Sequence, residues 1–221
     1  MMDSCGREEN MAVGIFGGTF DPIHMGHLRV AEEIREEFSL ERIYFVPGGR
    51  PPHKKGGAMT GAFERLSMVR AALKGNAFFR ASGVEAKRSG PSYTIDTLKE
   101  FQKRFKELYF LIGIDAFSEI DTWHLYEELF FHSNFIVMTR PSGLKKTIPE
   151  MLPDDVKRDV KKINERTYRH ASGRNIFLRD ITQIDISSTK IKALLKKGQS
   201  IRYLVPASVE KIIFEKGLYG A

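Results

Sequence analysis

Two histidines three positions apart, His24 and His27, are the residues of this 221-residue chain best suited to chemistry on a phosphate. Histidine donates hydrogen bonds and can carry charge near neutral pH, and on a helix this spacing lets both rings face one ligand. Gly26 between them keeps the backbone accessible, while Gly17 and Gly18 permit a close approach that side chains would block. The stretch predicts a loop for a phosphorylated ligand, although an isolated pair of this kind is more often two helix-capping residues.

The elements around this loop are expected to hold it at the edge of a sheet. Met11–Phe16 is an apolar run typical of a buried parallel strand, and apolar residues then recur at helical spacing from Leu28 to Phe38. The start of that helix would offer free N–H groups and the positive end of the helix dipole to a phosphate. The loop contains neither the Gly-Lys-Ser/Thr of a Walker loop nor the Gly-x-Gly-x-x-Gly of a dinucleotide fold.

Strand-like and helix-like segments alternate along the rest of the chain. Further strands are predicted at Arg42–Val46, Phe78–Val84, Leu108–Ile112, Asn134–Thr139 and Ile176–Leu178. Helices are predicted at Phe63–Leu73, Tyr93–Phe105, Asp154–Arg169, Ser188–Lys197 and Ala207–Lys216, with one or two short helices around Trp123. This order predicts an α/β fold: a single Rossmann-like domain whose parallel sheet carries helices on both faces, followed by a C-terminal helical segment.

Composition narrows the class of protein but does not choose a ligand. Hydrophobic residues make up 42% of the chain, enough for one domain with a substantial core over residues 11–221. Lysine and arginine exceed aspartate and glutamate by 35 − 28 = +7, a charge that suits nucleic acid, an anionic membrane or a phosphorylated small molecule. The single cysteine fits a reducing compartment, and the absence of a long apolar run favours the cytoplasm. We expect the polar residues 1–10 to form a disordered leader.

Five separate segments resemble the bacterial nicotinate mononucleotide adenylyltransferases of the nucleotidyltransferase superfamily that carries an HxGH signature. They are GGTFDPIHMGH (17–27), PPHK (51–54), SYTIDTL (92–98), GID (113–115) followed by WH (123–124), and ISSTKIK (186–192). The resemblance extends from about Val13 to Tyr219. It implies transfer of AMP from ATP to nicotinate mononucleotide, giving deamido-NAD and pyrophosphate in NAD biosynthesis.

The resemblance also assigns roles to individual residues on the ATP side. His24 and His27 would be catalytic, holding the α-phosphate of ATP, while Mg²⁺ would arrive on the triphosphate without a dedicated protein site. The implied ATP-binding residues are Gly17, Gly18, Thr19, Phe20, Asp21, Gly26, Asp115, Ser187, Ser188, Thr189 and Lys192. Judged without the family, the serines and Thr189 read as ordinary N-capping residues, and Asp115 reads equally as a helix cap.

On the substrate side the resemblance implies that the ring of Trp123 stacks on the pyridine ring, and that Thr94 helps to recognise the nicotinate carboxylate. The implied substrate-binding residues are His53, Lys54, Tyr93, Thr94, Trp123, His124 and Arg140. Taken alone, Trp123 reads as a core residue and His53, Lys54 and Arg140 as solvated surface side chains. Preference for the acid over the amide mononucleotide stays open.

One departure and several alternatives remain. The family pattern ends in arginine where this chain has Lys192, and lysine keeps the charge but loses the planar two-pronged donor.

Pantetheine-phosphate adenylyltransferases and cytidylyltransferases for phospho-alcohols share the GGTFDP and HxGH segments, but should lack SYTIDTL and the Trp123-His124 pair. A class I aminoacyl-tRNA synthetase domain and a non-catalytic nucleotide- or RNA-binding protein are more distant alternatives. We expect ATP and the mononucleotide as partners, with no nucleic acid or membrane, and leave open a homo-oligomer.

Overall fold

An eight-stranded sheet organises the protein in the computed structural model, which describes residues 11–50, 59–139 and 147–221. The strand order is β3-β2-β1-β4-β5-β8-β7-β6, and the first six strands in that order run parallel. The strands are β1 Ala12–Gly18, β2 Arg42–Pro47, β3 Phe79–Ala81, β4 Glu107–Gly113, β5 Asn134–Thr139, β6 Val160–Asn164, β7 Thr167–His170 and β8 Asn175–Asp180. The predicted α/β fold with a parallel sheet is confirmed.

Helices cover both faces of this sheet. The longer helices are α1 Met25–Glu37, α2 Ala62–Leu73, α3 Thr94–Gln102, α5 Tyr126–His132, α8 Ser188–Lys196 and α9 Ala207–Glu215. Short turns form α4 Ile114–Phe117, α6 Ile148–Met151, α7 Asp154–Lys157 and the 3₁₀ helices Ile120–Thr122 and Leu218–Gly220. The core on one face is built with α3 and α5, and the core on the other face with α1, α2, α8 and α9.

The central strand β1 shows how the sequence produces this layering. Val13 and Ile15 belong to the first core and Phe16 to the second, because side chains alternate between the two faces of a strand. Burial on both faces requires a nearly continuous apolar run, as the sequence has. At its carboxyl end, Gly18 pairs with Pro47 of β2, so the loop that follows emerges at the edge where parallel sheets bind ligands.

The prediction of a helix over Asp154–Arg169 is wrong. Only α7 is helical there, and the remainder forms the antiparallel hairpin β6–β7 at one end of the sheet. In β7, Tyr168 and His170 are buried and Arg169 is exposed, a period of two that suits a strand. Asn164 marks the turn, since its Oδ1 accepts a hydrogen bond from the backbone N–H of Arg166 (2.9 Å). The charged residues of this segment are the solvated face of a hairpin.

Smaller corrections concern element boundaries. The strand predicted over Phe78–Val84 is limited to the three residues of β3, and Trp123 lies between two short helices instead of inside one. No helix in residues 11–50, 59–139 and 147–221 is both long and apolar enough to cross a membrane. His53, Lys54 and Arg140, and the proposed leader 1–10, lie outside the described residues, so those expectations stay predictions.

Candidate functional site

The loop between β1 and α1 is folded around the ring of Phe20. Phe20 adopts a positive φ of 49°, and its ring packs so closely on Gly18 that a Cβ there would lie 2.9 Å from the Cζ atom of Phe20. The same ring meets His27 edge-on, with centroids 5.0 Å apart. Gly18 is therefore needed to accommodate the ring of Phe20, which in turn supports the second histidine.

The two histidines are stacked on each other at the start of α1. Their ring centroids lie 3.7 Å apart with an interplanar angle of 24°, and the backbone N–H of His24 donates to Nδ1 of His27 (3.2 Å). Because Nδ1 of His27 accepts, the proton of the neutral ring is on Nε2, which is left as a donor. Gly26 permits this arrangement, since a Cβ there would lie 3.2 Å from the ring of His24.

Burial decides the charge of the pair. It lowers the pKa of His24 to about 4, and burial followed by repulsion from His24 lowers the pKa of His27 well below its ordinary value. Both rings are therefore neutral at pH 7 in the unliganded protein. The sequence suggested histidines able to carry charge near neutrality, whereas the structure provides two neutral rings that act through hydrogen bonds.

The start of α8 is attached directly to this loop. Ser188 Oγ donates to the backbone carbonyl of Pro22 (2.9 Å), and Ser187 is the N-cap, whose Oγ accepts from the N–H of Lys190 (3.1 Å). The capping interpretation of Ser187 is thus confirmed, while Ser188 joins two segments distant in sequence. Thr189 is exposed on the first turn, where a helix start presents backbone N–H donors.

A cavity of about 330 Å³ lies between the loop and α8. It brings together five of the predicted site residues, namely His24, Gly26, His27, Ser187 and Ser188. Phe16, Val30 and Met138 contribute apolar lining, and the segment 181–184, which the sequence did not single out, forms part of the wall. Polar groups thus converge with apolar walls, as in sites for small molecules. These five residues, together with the loop between β1 and α1, are called the histidine side below.

Asp21 links this side to the end of the chain. Its Oδ2 accepts from Nζ of Lys192 (3.0 Å) and its Oδ1 accepts from the hydroxyl of Tyr219 (2.7 Å). Burial by itself would raise the pKa of Asp21, but hydrogen bonds from Tyr219, Thr60 and Lys192 outweigh that effect and leave the pKa below its ordinary value. Asp21 is therefore a buried carboxylate. Lys192, which is predicted to contact ATP, is already paired with it.

Sequence reasoning missed Arg65, whose side chain is fully buried beneath the loop. Its guanidinium donates to the carbonyls of Thr19 (2.7 Å) and Thr60 (2.8 Å), and also to those of Gly48 and Gly49. It thereby joins the ends of β1 and β2 to the start of α2. An arginine on the buried stripe of a helix, next to Met68 and Val69, is the signal that could have identified it.

Four of the predicted substrate-binding residues form a second group, called the aromatic side below: Tyr93, Thr94, Trp123 and His124. The rings of Tyr93 and His124 lie 4.2 Å apart, and Trp123 meets Phe110 edge-on at 6.2 Å. Phe110 lies against Gly17, where a Cβ would be 3.4 Å from its ring. The ring of Phe110 therefore lies between Trp123 and Gly17.

One further predicted residue, Asp115, and the question of a metal complete the site. Asp115 is exposed in α4, directly after β4, at the carboxyl edge of the sheet, and Thr94 of the aromatic side is the first residue of α3. In the parts of the chain that the structure describes, no three His, Cys, Asp or Glu side chains cluster so that they could hold a metal ion.

The chain is similar to known proteins over most of its length. The family model described as cytidylyltransferase-like matches residues 15–194. A protein of Desulfatibacillum aliphaticivorans named "Probable nicotinate-nucleotide adenylyltransferase" is 44% identical, over 95% of this chain and 100% of its own length. A protein of the same name from Geotalea daltonii is 41% identical, over 95% of this chain and 98% of its own.

Among solved structures, the nicotinic acid mononucleotide adenylyltransferase of Plasmodium falciparum complexed with NaAD shares the fold, with a TM-score of 0.69 at 20% identity, over 95% of this chain and 98% of that one. The family model covers most of the chain, and the relatives match it from end to end. The chain is therefore a nucleotidyltransferase of the cytidylyltransferase-like family, and within that family it belongs with the nicotinate-nucleotide adenylyltransferases.

Proposed function

We propose that this protein transfers the AMP part of ATP to nicotinate mononucleotide, forming deamido-NAD and releasing pyrophosphate. The observation that carries the proposal is the convergence of His24, His27 and the start of α8 on one cavity at the carboxyl edge of the sheet. The names of the full-length relatives support nicotinate mononucleotide as the acceptor. A phosphate oxygen of the mononucleotide attacks the α-phosphorus of ATP, and the bond to the β-phosphate breaks.

No protein base is needed, because the attacking oxygen is already anionic. Catalysis then depends on position and on donors aimed at the charge that develops in the transition state. We assign this role to His27, whose Nδ1 is occupied and whose Nε2 carries the proton, and to His24 stacked on it. His27 stays a neutral donor in this role, because a proton on its Nδ1 would break the hydrogen bond from the backbone N–H of His24.

The leaving pyrophosphate would be held at the start of α8. Thr189 and the first backbone N–H groups of that helix are suited to phosphate oxygens, and Lys192 lies one turn further along. Gly17, Gly18, Thr19 and Phe20 shape the nucleotide bed in this proposal, with Asp115 placed for the ribose hydroxyls. Mg²⁺ carried by ATP would neutralise charge on the phosphate oxygens.

The aromatic side would hold the mononucleotide. Trp123 is partly exposed and could stack on the pyridine ring, while Thr94 and His124 lie near enough to Tyr93 to form one patch around it. His53, Lys54 and Arg140 stay predicted contacts to its phosphate. A cytoplasmic location belongs to this proposal and is supported by the composition of the sequence, with its single cysteine.

The test is pyrophosphate release from ATP and Mg²⁺ with three acceptors side by side: nicotinate mononucleotide, nicotinamide mononucleotide and phosphopantetheine. We expect turnover with the nicotinate compound and a weaker reaction with the amide. Donors placed for a carboxylate would face the NH₂ group of the amide, which cannot accept a hydrogen bond from them. Equal use of both mononucleotides would contradict the acid preference, and turnover with phosphopantetheine alone would contradict the proposed substrate.

A further inference from the structure

Tyr219, two residues from the end of the chain, is built into the histidine side. It lies in the 3₁₀ turn Leu218–Gly220 with a positive φ of 64°, a conformation that a bulky residue adopts rarely. Its hydroxyl donates to Oδ1 of Asp21, 198 positions away in the chain. Burial raises the pKa of this hydroxyl, which keeps it neutral and able to donate.

Tyr219 and Lys192 hold the same carboxylate from opposite oxygens. The side chain of Asp21 is 5% exposed and that of Lys192 is 33% exposed, so the ammonium group lies between a buried carboxylate and solvent. The Nζ atom of Lys192 is also 5.7 Å from the centroid of the Tyr219 ring, within range of a cation–π attraction. One aromatic residue therefore contacts both members of the ion pair.

This arrangement suits a lysine. An ammonium group is a point charge with three donors, and in the described contacts one of them goes to Asp21. Because Tyr219 fixes one oxygen of Asp21, the other oxygen keeps a defined direction toward Lys192. The ammonium group can then present its remaining donors toward the start of α8, where we assigned the leaving pyrophosphate.

We propose that Tyr219 is a positioning residue for the triphosphate of ATP, acting through Asp21 to hold Lys192 in place. This inference rests on the proposed function for the identity of the nucleotide. The carboxylate and the ring supply the orientation that a planar guanidinium would have by itself.

The experiment compares Tyr219→Phe with the wild-type protein and with Tyr109→Phe. Tyr109 lies near the amino end of the central strand β4, away from the carboxyl edge of the sheet, so its variant controls for the loss of a phenol hydroxyl. For Tyr219→Phe we expect the Kd and the KM for ATP to rise about fivefold to tenfold, with the KM for the mononucleotide unchanged. Kd is measured by calorimetry with ATP alone, at a temperature where melting curves show each variant fully folded.

Repeating the comparison in a Lys192→Met variant distinguishes a positioning role of Tyr219 from a general structural one. If Tyr219 acts through Lys192, Tyr219→Phe should weaken ATP binding less than about twofold when Lys192→Met is already present. An unchanged Kd for Tyr219→Phe, or an equally large effect in the Lys192→Met background, overturns the proposal. Wild-type protein that binds ATP but does not use the mononucleotide contradicts the proposed function, while the Tyr219 comparison can still be made.

Discussion

The histidine side and the aromatic side differ in the contacts that join distant segments of the chain, although rings also stack within the histidine side. On the histidine side, directional hydrogen bonds join segments far apart in the chain: Ser188 to the carbonyl of Pro22, Tyr219 to Asp21, and Arg65 to the carbonyl of Thr19. On the aromatic side, residues distant in sequence contact one another through their rings: Tyr93 with His124, and Trp123 with Phe110.

The difference has a functional meaning. Hydrogen bonds to buried groups are costly to break, so they fix their partners in one geometry before any ligand arrives. Ring contacts tolerate sliding and tilting at small cost, so the aromatic side can adjust to the shape of an acceptor. We therefore expect substitutions on the histidine side to affect phosphate chemistry and stability, and substitutions on the aromatic side to affect the choice of acceptor.

The strongest test of this comparison is Arg65→Met. The substitution removes the donors to four backbone carbonyls from a fully buried position, and we expect the free energy of unfolding to fall by about 3–5 kcal/mol. Denaturant unfolding measures the change. Arg70→Met, on the exposed face of the same helix, is the matched control and should cost less than about 0.5 kcal/mol. A similar small loss for both would mean that Arg65 does not hold the loop.

His27→Ala tests the catalytic part of the comparison. It removes the Nε2–H donor assigned to the transition state, and we expect kcat to fall about 100- to 1000-fold. Turnover is followed by pyrophosphate release with saturating ATP and nicotinate mononucleotide. His132→Ala, at the end of α5, serves as the control for loss of a histidine. Near-normal turnover in His27→Ala would rule out the role assigned to this ring.

Parts of the site whose residues are contiguous in the sequence can be predicted from it, and parts built from distant residues cannot. The loop and the start of α8 were identified because their residues are contiguous in sequence. Tyr219 could not be found in the same way, since its partner Asp21 lies at the other end of the chain. The neutral state of His24 follows from tertiary burial, which residue type and spacing do not reveal.

The fold was predictable where an apolar pattern existed. β1, β4 and β5 have nearly unbroken apolar runs and their predicted strands are confirmed, whereas the many charged and few apolar residues of β6–β7 predict a helix that does not form. β7 pairs with β8 (Asn175–Asp180) and β6 pairs with β7, and the contact with β8 is one that the local sequence does not contain. Arg65 is an intermediate case, because its place on a buried stripe was visible but its carbonyl partners were not.

The pH dependence of stability sharpens the description of the histidine side. His24 has a pKa of about 4 when folded and about 6.5 when unfolded, so below pH 6.5 the unfolded chain binds the extra proton. The stabilisation is present above pH 6.5 and is lost as the pH falls toward 4. Between pH 8 and pH 5, wild-type protein should lose about 2 kcal/mol more than His24→Asn in denaturant unfolding. Equal losses would mean that His24 is not held neutral.

The smallest expected effect concerns Trp123, and it bears most directly on whether the two sides are separate. Stacking of flat rings contributes about 0.5–1.5 kcal/mol, so Trp123→Leu should raise the KM for nicotinate mononucleotide about twofold to tenfold and leave the KM for ATP unchanged. Phe131→Leu, which changes an exposed aromatic residue of α5, is the control. If both KM values rise together, the contact from Trp123 through Phe110 to Gly17 transmits the change to the loop, and the two sides act as one unit.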